Sequence, residues 1–141
     1  MAVAETLSGQ CLCGAVKFKA VLAAMEMAVC HCGMCRRWAG GAFMCAECAS
    51  LEFEDERALG VFVSSEWGER LFCKQCGSSL VWRTKDRAHV AVSIHALDQP
   101  SAFTFTGEIF IDEKPSNYSF AEDTQKLTGQ QVFEMFAPKE A

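Results

Sequence analysis

The sequence predicts a single, mainly β domain, and three observations carry that expectation. Short runs of alternating apolar and polar residues, rich in Val, Ile, Phe and Trp, recur along the chain between Gly, Pro and charged turns. Helical spacing shows clearly only in the tail, where Val132, Phe133 and Phe136 fall on one face between Gly129 and Ala137. The nine cysteines cluster in short motifs, and the odd count argues for metal ligation rather than a disulfide framework.

The chain has 141 residues, half of them hydrophobic and 22 % charged, the composition of one globular domain with a core of ordinary size. Thirteen Lys and Arg stand against eighteen Asp and Glu. That acidic balance argues against a general nucleic-acid binder. Met1 to Gln10 lack the basic start and apolar stretch of a signal peptide, and the apolar run Ala20 to Cys30 contains Glu26 and is too short for a bilayer. A cytoplasmic address with no membrane partner is the expectation.

Taken in order, the first organised segment is Gly9 to Ala20, which alternates apolar and charged residues from Val16 onward. On an extended strand Cys11 and Cys13 share a face, roughly 6.5–7 Å apart at Cα. Val21 to Met25 turns the chain into Cys30-His31-Cys32-Gly33-Met34-Cys35. In extended geometry Cys30 and Cys32 point one way and His31 the other, and a turn at Gly33-Met34 brings Cys35 back. Arg36 to Gly41 reads as one helical turn ended by paired glycines. Ala42 to Cys48, Leu51 to Glu54 and Val61 to Val63 read as strands, with a charged turn at Asp55-Glu56-Arg57. Ser64 to Arg70 reads as a polar loop around Trp67.

Leu71 to Gly77 carries the second strong motif, Cys73-Lys74-Gln75-Cys76-Gly77. Such a turn aims backbone N–H groups at the thiolates, and its glycine takes positive φ freely. Ser79 to Arg83, His89 to Ile94, Phe103 to Phe105 and Glu108 to Asp112 continue the β pattern, with Asn117-Tyr118 as a short edge segment after Pro115. No repeat, linker or low-complexity tract divides the chain.

Cys11, Cys13, Cys73 and Cys76 make a natural four-thiolate set, the closed arrangement of a structural zinc. Cys30, Cys32 and Cys35 supply three, which leaves one coordination position for water or substrate, as in catalytic sites. Cys30, Cys32 and Cys35 could instead draw on Cys73 or Cys76, and Cys45, Cys48 or His31 could complete the second site. Cys45 and Cys48 fit best as small core residues on opposite faces of one strand. A structural hydrogen bond suits His31 better than ligation, and His89 and His95 are expected to be non-ligands without acidic neighbours of note.

Gly9-Gln10-Cys11-Leu12-Cys13-Gly14, Cys30-His31-Cys32-Gly33-Met34-Cys35-Arg36 and Phe72-Cys73-Lys74-Gln75-Cys76-Gly77 together resemble the glutathione-dependent formaldehyde-activating enzyme family. Ser64 to Trp67, Leu97 to Pro100 and Ile109 to Pro115 extend the resemblance from about Gly9 to Phe136. It implies one Mss4-like complex β domain over residues 1–141, with zinc knuckles and a short C-terminal helix. It also implies two zinc ions per chain, structural on Cys11, Cys13, Cys73 and Cys76, catalytic in type on Cys30, Cys32 and Cys35. The implied activity joins formaldehyde to glutathione or reverses that step, so the expected partner is a small thiol or its aldehyde adduct. Arg36, Trp67 and Arg70 are the expected substrate contacts, with Arg37 a further candidate for gripping a carboxylate, and no residue stands out as a general base. A zinc-stabilised binding module without catalysis, or a thiol-based redox sensor, is the alternative.

Overall fold

The structure, a computed structural model, describes residues 5–136. Among them are ten strands and two helices, so the chain is mostly β as expected. It divides into two compact units, each made of two separate chain segments. The first comprises the residues up to Glu26 and Cys45–Thr104; the second comprises Met27–Met44 and the residues from Phe105 onward.

In the first unit, β1 (Glu5–Gln10) and β2 (Lys17–Leu22) form an antiparallel hairpin with Leu7 opposite Ala20 and Gly9 opposite Phe18. The alternation of β2 has a direct packing consequence: Phe18, Ala20 and Leu22 are buried, while Lys17 and Lys19 face solvent. β2 pairs with β4 (Phe43–Phe53), which belongs to this unit from Cys45 on, and Phe18 meets Phe53 edge-on at 5.8 Å. From β4 the order runs through β8 (Val90–Ser93), β7 (Ser79–Thr84) and β6 (Gly68–Cys73) to β5 (Leu59–Val63), all antiparallel. Val16, Phe18, Leu22, Leu71, Leu80, Val81 and Val92 are fully buried and form its core. Each such side chain contributes about 1.5–3 kcal/mol by leaving water.

The second unit contains β3 (Glu26–Cys30) from Met27 on, α1 (Gly33–Ala39), β9 (Thr104–Ile109) from Phe105 on, β10 (Gln125–Leu127) and α2 (Gly129–Phe136). β9 lies between β3 and β10, and β10 runs parallel to it. Helix α1 begins where the Cys32 thiol caps the Cys35 N–H and stops at Gly40 in the left-handed region. Trp38 packs edge-on to Phe43 at 5.1 Å.

Several local expectations need correction. Cys11 and Cys13 lie in the turn between β1 and β2 rather than on a strand. Gly14, at φ +82°, is the signal that the chain turns there. Residues 43–48 and 51–53 belong to one continuous strand, β4, which leaves out Ala42 and Glu54 at the ends of the two expected strands. Arg70 sits inside β6, not in a loop, because Glu69 pairs across to Arg83 and so makes a polar segment compatible with a strand. Asn117-Tyr118 forms no strand. In α2 only Gly129 and Val132 are buried, whereas Phe133 and Phe136 are about half exposed; Ala137 lies outside the described residues.

Candidate metal centres

None of the nine cysteines is in a disulfide, and seven of them converge in two groups. Cys11, Cys13, Cys73 and Cys76 form one group and Cys30, Cys32 and Cys35 the other, with the sulfurs of each group within 4.8 Å of one another. Among the described residues these are the groups of three or more ligating side chains that could hold a metal ion.

The four-sulfur group is built from two turns of the first unit. The hairpin turn is closed by Cys11 N–H donating to Val16 O at 3.0 Å, and Val16 N–H donates to the Cys11 sulfur at 3.3 Å. The second turn is closed by Gly77 N–H on Cys73 O at 2.8 Å, with Gly77 at φ +80°. It aims the N–H groups of Gln75 and Cys76 at the Cys73 sulfur, both at 3.4 Å, as the motif requires. Ser78 ties the turns together: its hydroxyl accepts from Leu12 N–H at 3.0 Å and lies 3.2 Å from the Cys76 sulfur. Sulfur–sulfur distances of 3.6 Å (Cys11–Cys13) and 3.7 Å (Cys13–Cys73) separate these thiols. A tetrahedral zinc with Zn–S near 2.3 Å sets its sulfurs about 3.8 Å apart, and these two distances are close to that spacing.

Electrostatics point the same way. Hydrogen bonds from Ser78, hydroxyl first, bring the Cys76 thiol down to about 5. Burial works against ionisation of Cys11, yet the Val16 N–H and the thiols of Cys13 and Cys73 leave it lowered overall. At Cys13 the Ala15 N–H favours the thiolate, but burial and the three surrounding sulfurs outweigh it and push the thiol up to about 11. Four thiolates cannot crowd together without a cation, and a divalent ion would relieve that repulsion.

The three-sulfur group spans the end of β3 and the start of α1, in the second unit. Cys30 and Cys35 are buried and Cys32 is partly open. The sulfurs of Cys32 and Cys35, followed by burial, push the Cys30 thiol upward, the same crowding a cation would offset. Its donor set, three soft sulfurs, also fits a thiophilic metal.

His31, between the first two of these cysteines, is fully buried and turned to other partners. Its Nε2 lies 2.8 Å from Glu108 Oε1 and its Nδ1 2.8 Å from the Tyr118 hydroxyl. Both ring nitrogens are thus occupied by hydrogen bonds, in line with the structural role expected of it. Burial opposes ionisation of Glu108, but Thr124, His31 and Lys126 outweigh it and hold the carboxyl below its ordinary range. Sequence reading missed Glu108 and Tyr118, which lie 77 and 87 residues from their partner. No local pattern signals such a pairing.

Cys45 and Cys48 belong to neither group. Cys48 is buried, and burial pushes its thiol up to about 12. Contrary to expectation, His89 has an acidic neighbour: its Nδ1 lies 3.2 Å from Glu47 Oε1. Among the expected substrate contacts, Arg36 follows the three-sulfur group on α1 and donates Nε–H to His31 O at 3.0 Å. Arg37 Nη1 approaches Gly33 O at 3.5 Å, while Glu113 accepts from Gly33 N–H at 3.0 Å. Trp67 and Arg70 belong to the first unit. The Trp67 indole packs edge-on to Trp82 and is about half exposed, whereas Arg70 is only 4 % exposed.

Residues 6–113 match the family model described as glutathione-dependent formaldehyde-activating enzyme. An uncharacterized lyase of Schizosaccharomyces pombe is 32 % identical over 126 residues, covering 88 % of this chain and 92 % of the relative. A crystal structure of a Rhodobacter sphaeroides protein is similar with a TM-score of 0.57 at 21 % identity, over 65 % of this chain and 88 % of that one. That last likeness speaks for the fold alone.

Proposed function

The chain belongs to the glutathione-dependent formaldehyde-activating enzyme family, and from that premise we propose that it is a zinc-dependent carbon–sulfur lyase. Its substrate would be a thiol–aldehyde adduct of the S-hydroxymethylglutathione kind. The observation that carries this reading is the unequal ligand count of the two groups, four sulfurs against three. A full set of four suits a structural ion, and a set of three suits an ion that keeps a place for a ligand.

Cys11, Cys13, Cys73 and Cys76 would hold the structural zinc, and Cys30, Cys32 and Cys35 the reactive one. Three thiolates bring a zinc ion to a net −1, so what it supplies when bound is a thiophilic position suited to a substrate sulfur more than strong polarisation of a carbonyl. Cleavage of the adduct breaks the carbon–sulfur bond. The sulfur keeps the electron pair, the hydroxyl proton passes to water and formaldehyde is released; the reverse step joins the same pieces. Arg36 uses its Nε on the backbone, which leaves the outer edge of its guanidinium for a bidentate grip on a substrate carboxylate. Trp67 and Arg70, which belong to the first unit, are given no contact with this centre.

We also propose that the chain works as one domain, because each unit is assembled from two separate segments and neither is a continuous piece. No helix among the described residues is long and apolar enough to cross a membrane. Nine cysteines outside any disulfide support a reducing compartment, and the cytoplasm is the proposed address.

The direct test follows exchange between carbon-13 formaldehyde and its glutathione adduct by NMR. Enzyme at catalytic concentration should raise the exchange rate, and Cys32→Ser should remove the increase. An exchange rate that ignores the protein would favour a non-catalytic binding module.

A further inference from the structure

We propose that Glu108 is a positioning residue for the three-sulfur centre and acts on it through His31. The inference rests on reading Cys30, Cys32 and Cys35 as a metal site. His31 is the residue that links Cys30 to Cys32, and all four of its polar positions are engaged. Its N–H donates to Ile109 O at 3.1 Å and its C=O accepts from Arg36 Nε at 3.0 Å. Its ring nitrogens lie 2.8 Å from Glu108 Oε1 and 2.8 Å from the Tyr118 hydroxyl. The ring is fully buried and Glu108 is 2 % exposed.

Glu108 is itself anchored from behind. Its Oε2 accepts from the Thr124 hydroxyl at 2.5 Å, and Lys126 Nζ lies 3.7 Å away. A carboxylate buried merely to fill space would be a poor choice, since apolar groups of like volume fill space without the cost of desolvating a charge. What this carboxylate does is fix the rotation of one ring. Locking the ring fixes the peptide planes on either side of His31, and those planes set where the Cys30 and Cys32 sulfurs point. Hydrogen-bond partners outside a ligand set are commonly worth about 10–100-fold in metal affinity. Here that effect would pass through the backbone, because His31 turns its ring nitrogens to Glu108 and Tyr118 rather than to an ion.

The four-sulfur centre supplies an internal control within the same chain. Zinc affinity would be measured on the full-length protein by competition with a chromophoric chelator, where two centres give two steps. Glu108→Leu should weaken the three-sulfur step by about 10–100-fold and leave the four-sulfur step in place. Glu108→Gln, whose amide oxygen still accepts from Nε2–H, should recover most of the loss. An unchanged three-sulfur step, equal weakening of both steps, or no recovery with glutamine would overturn the proposal. Should Glu108→Leu not fold, Glu108→Asp decides, since it keeps a carboxylate but draws it back by one methylene from the 2.8 Å contact with His31 Nε2. Selective weakening of the three-sulfur step supports the proposal, and its absence overturns it. A wild-type protein with a single step would instead sink the metal reading itself, whatever the variants do.

Discussion

Replacing Cys73 by serine should cost the chain its fold, whereas replacing Cys32 by serine should cost it one metal ion and little else. The Cys73 sulfur is fully buried, 3.7 Å from that of Cys13, and receives two backbone N–H groups. The four-sulfur centre ties the β1–β2 turn to the turn after β6 and so closes the 59 residues from 14 to 72. Closing a loop of that length costs roughly 3.6 kcal/mol plus a constant. A structural zinc supplies about 10–16 kcal/mol, against a total stability of about 5–15 kcal/mol for an ordinary domain. Loss of such an ion would therefore remove as much as the whole margin. At Cys32 the arithmetic differs, because the thiol also caps α1 by accepting from Cys35 N–H at 3.3 Å. Serine is a strong N-cap, so Cys32→Ser deletes the ligand and keeps the cap. Elemental analysis and far-UV circular dichroism should find Cys73→Ser aggregated or unfolded, and Cys32→Ser folded with one zinc per chain. Equal damage from both substitutions would refute the division into structural and reactive centres.

Two further outcomes follow from the first unit. Glu69→Ala should destabilise the protein by about 3–5 kcal/mol in urea, because it strands the buried Arg83 guanidinium that Glu69 meets at 2.7 Å; a loss under about 1 kcal/mol, the size of a surface pair, would contradict that account. Cys48, whose thiol burial holds at about 12, should resist iodoacetamide in the native protein at pH 8, and Cys48→Ala should leave the zinc content unchanged. Less zinc in that variant, read by elemental analysis, would mean that Cys48 serves as a ligand.

Much of the thiol clustering was legible in the sequence because these cysteines come in local pairs and triplets whose spacing survives folding. The Cys-x-x-Cys-Gly turn behaves as its residues dictate, down to the two N–H groups on Cys73 and the positive φ of Gly77. Strand existence was legible where alternation is strong, as in Lys17 to Leu22. It was lost in β1, where small and polar residues give no clear pattern, and in β10, which is three residues long and defined by its parallel partner. Polar pairings misled in two places. Gly68 to Arg70 looked like the end of a loop begun at Ser64 because the ion pair that makes β6 tolerable reaches 14 residues along the chain. The Glu108–His31–Tyr118 chain joins three distant segments, and its partners exist only once β3 and β9 have assembled.

Cobalt substitution tests the central claim most directly, because the thiolate charge-transfer and d–d bands of cobalt report its ligand set. If the three-sulfur centre takes a substrate thiol, glutathione places its sulfur on the metal held by Cys30, Cys32 and Cys35 and shifts those bands. S-methylglutathione, which has no free thiol, produces no such change. A cobalt spectrum that neither glutathione nor any other small thiol perturbs would contradict the lyase reading and leave a non-catalytic zinc module in its place.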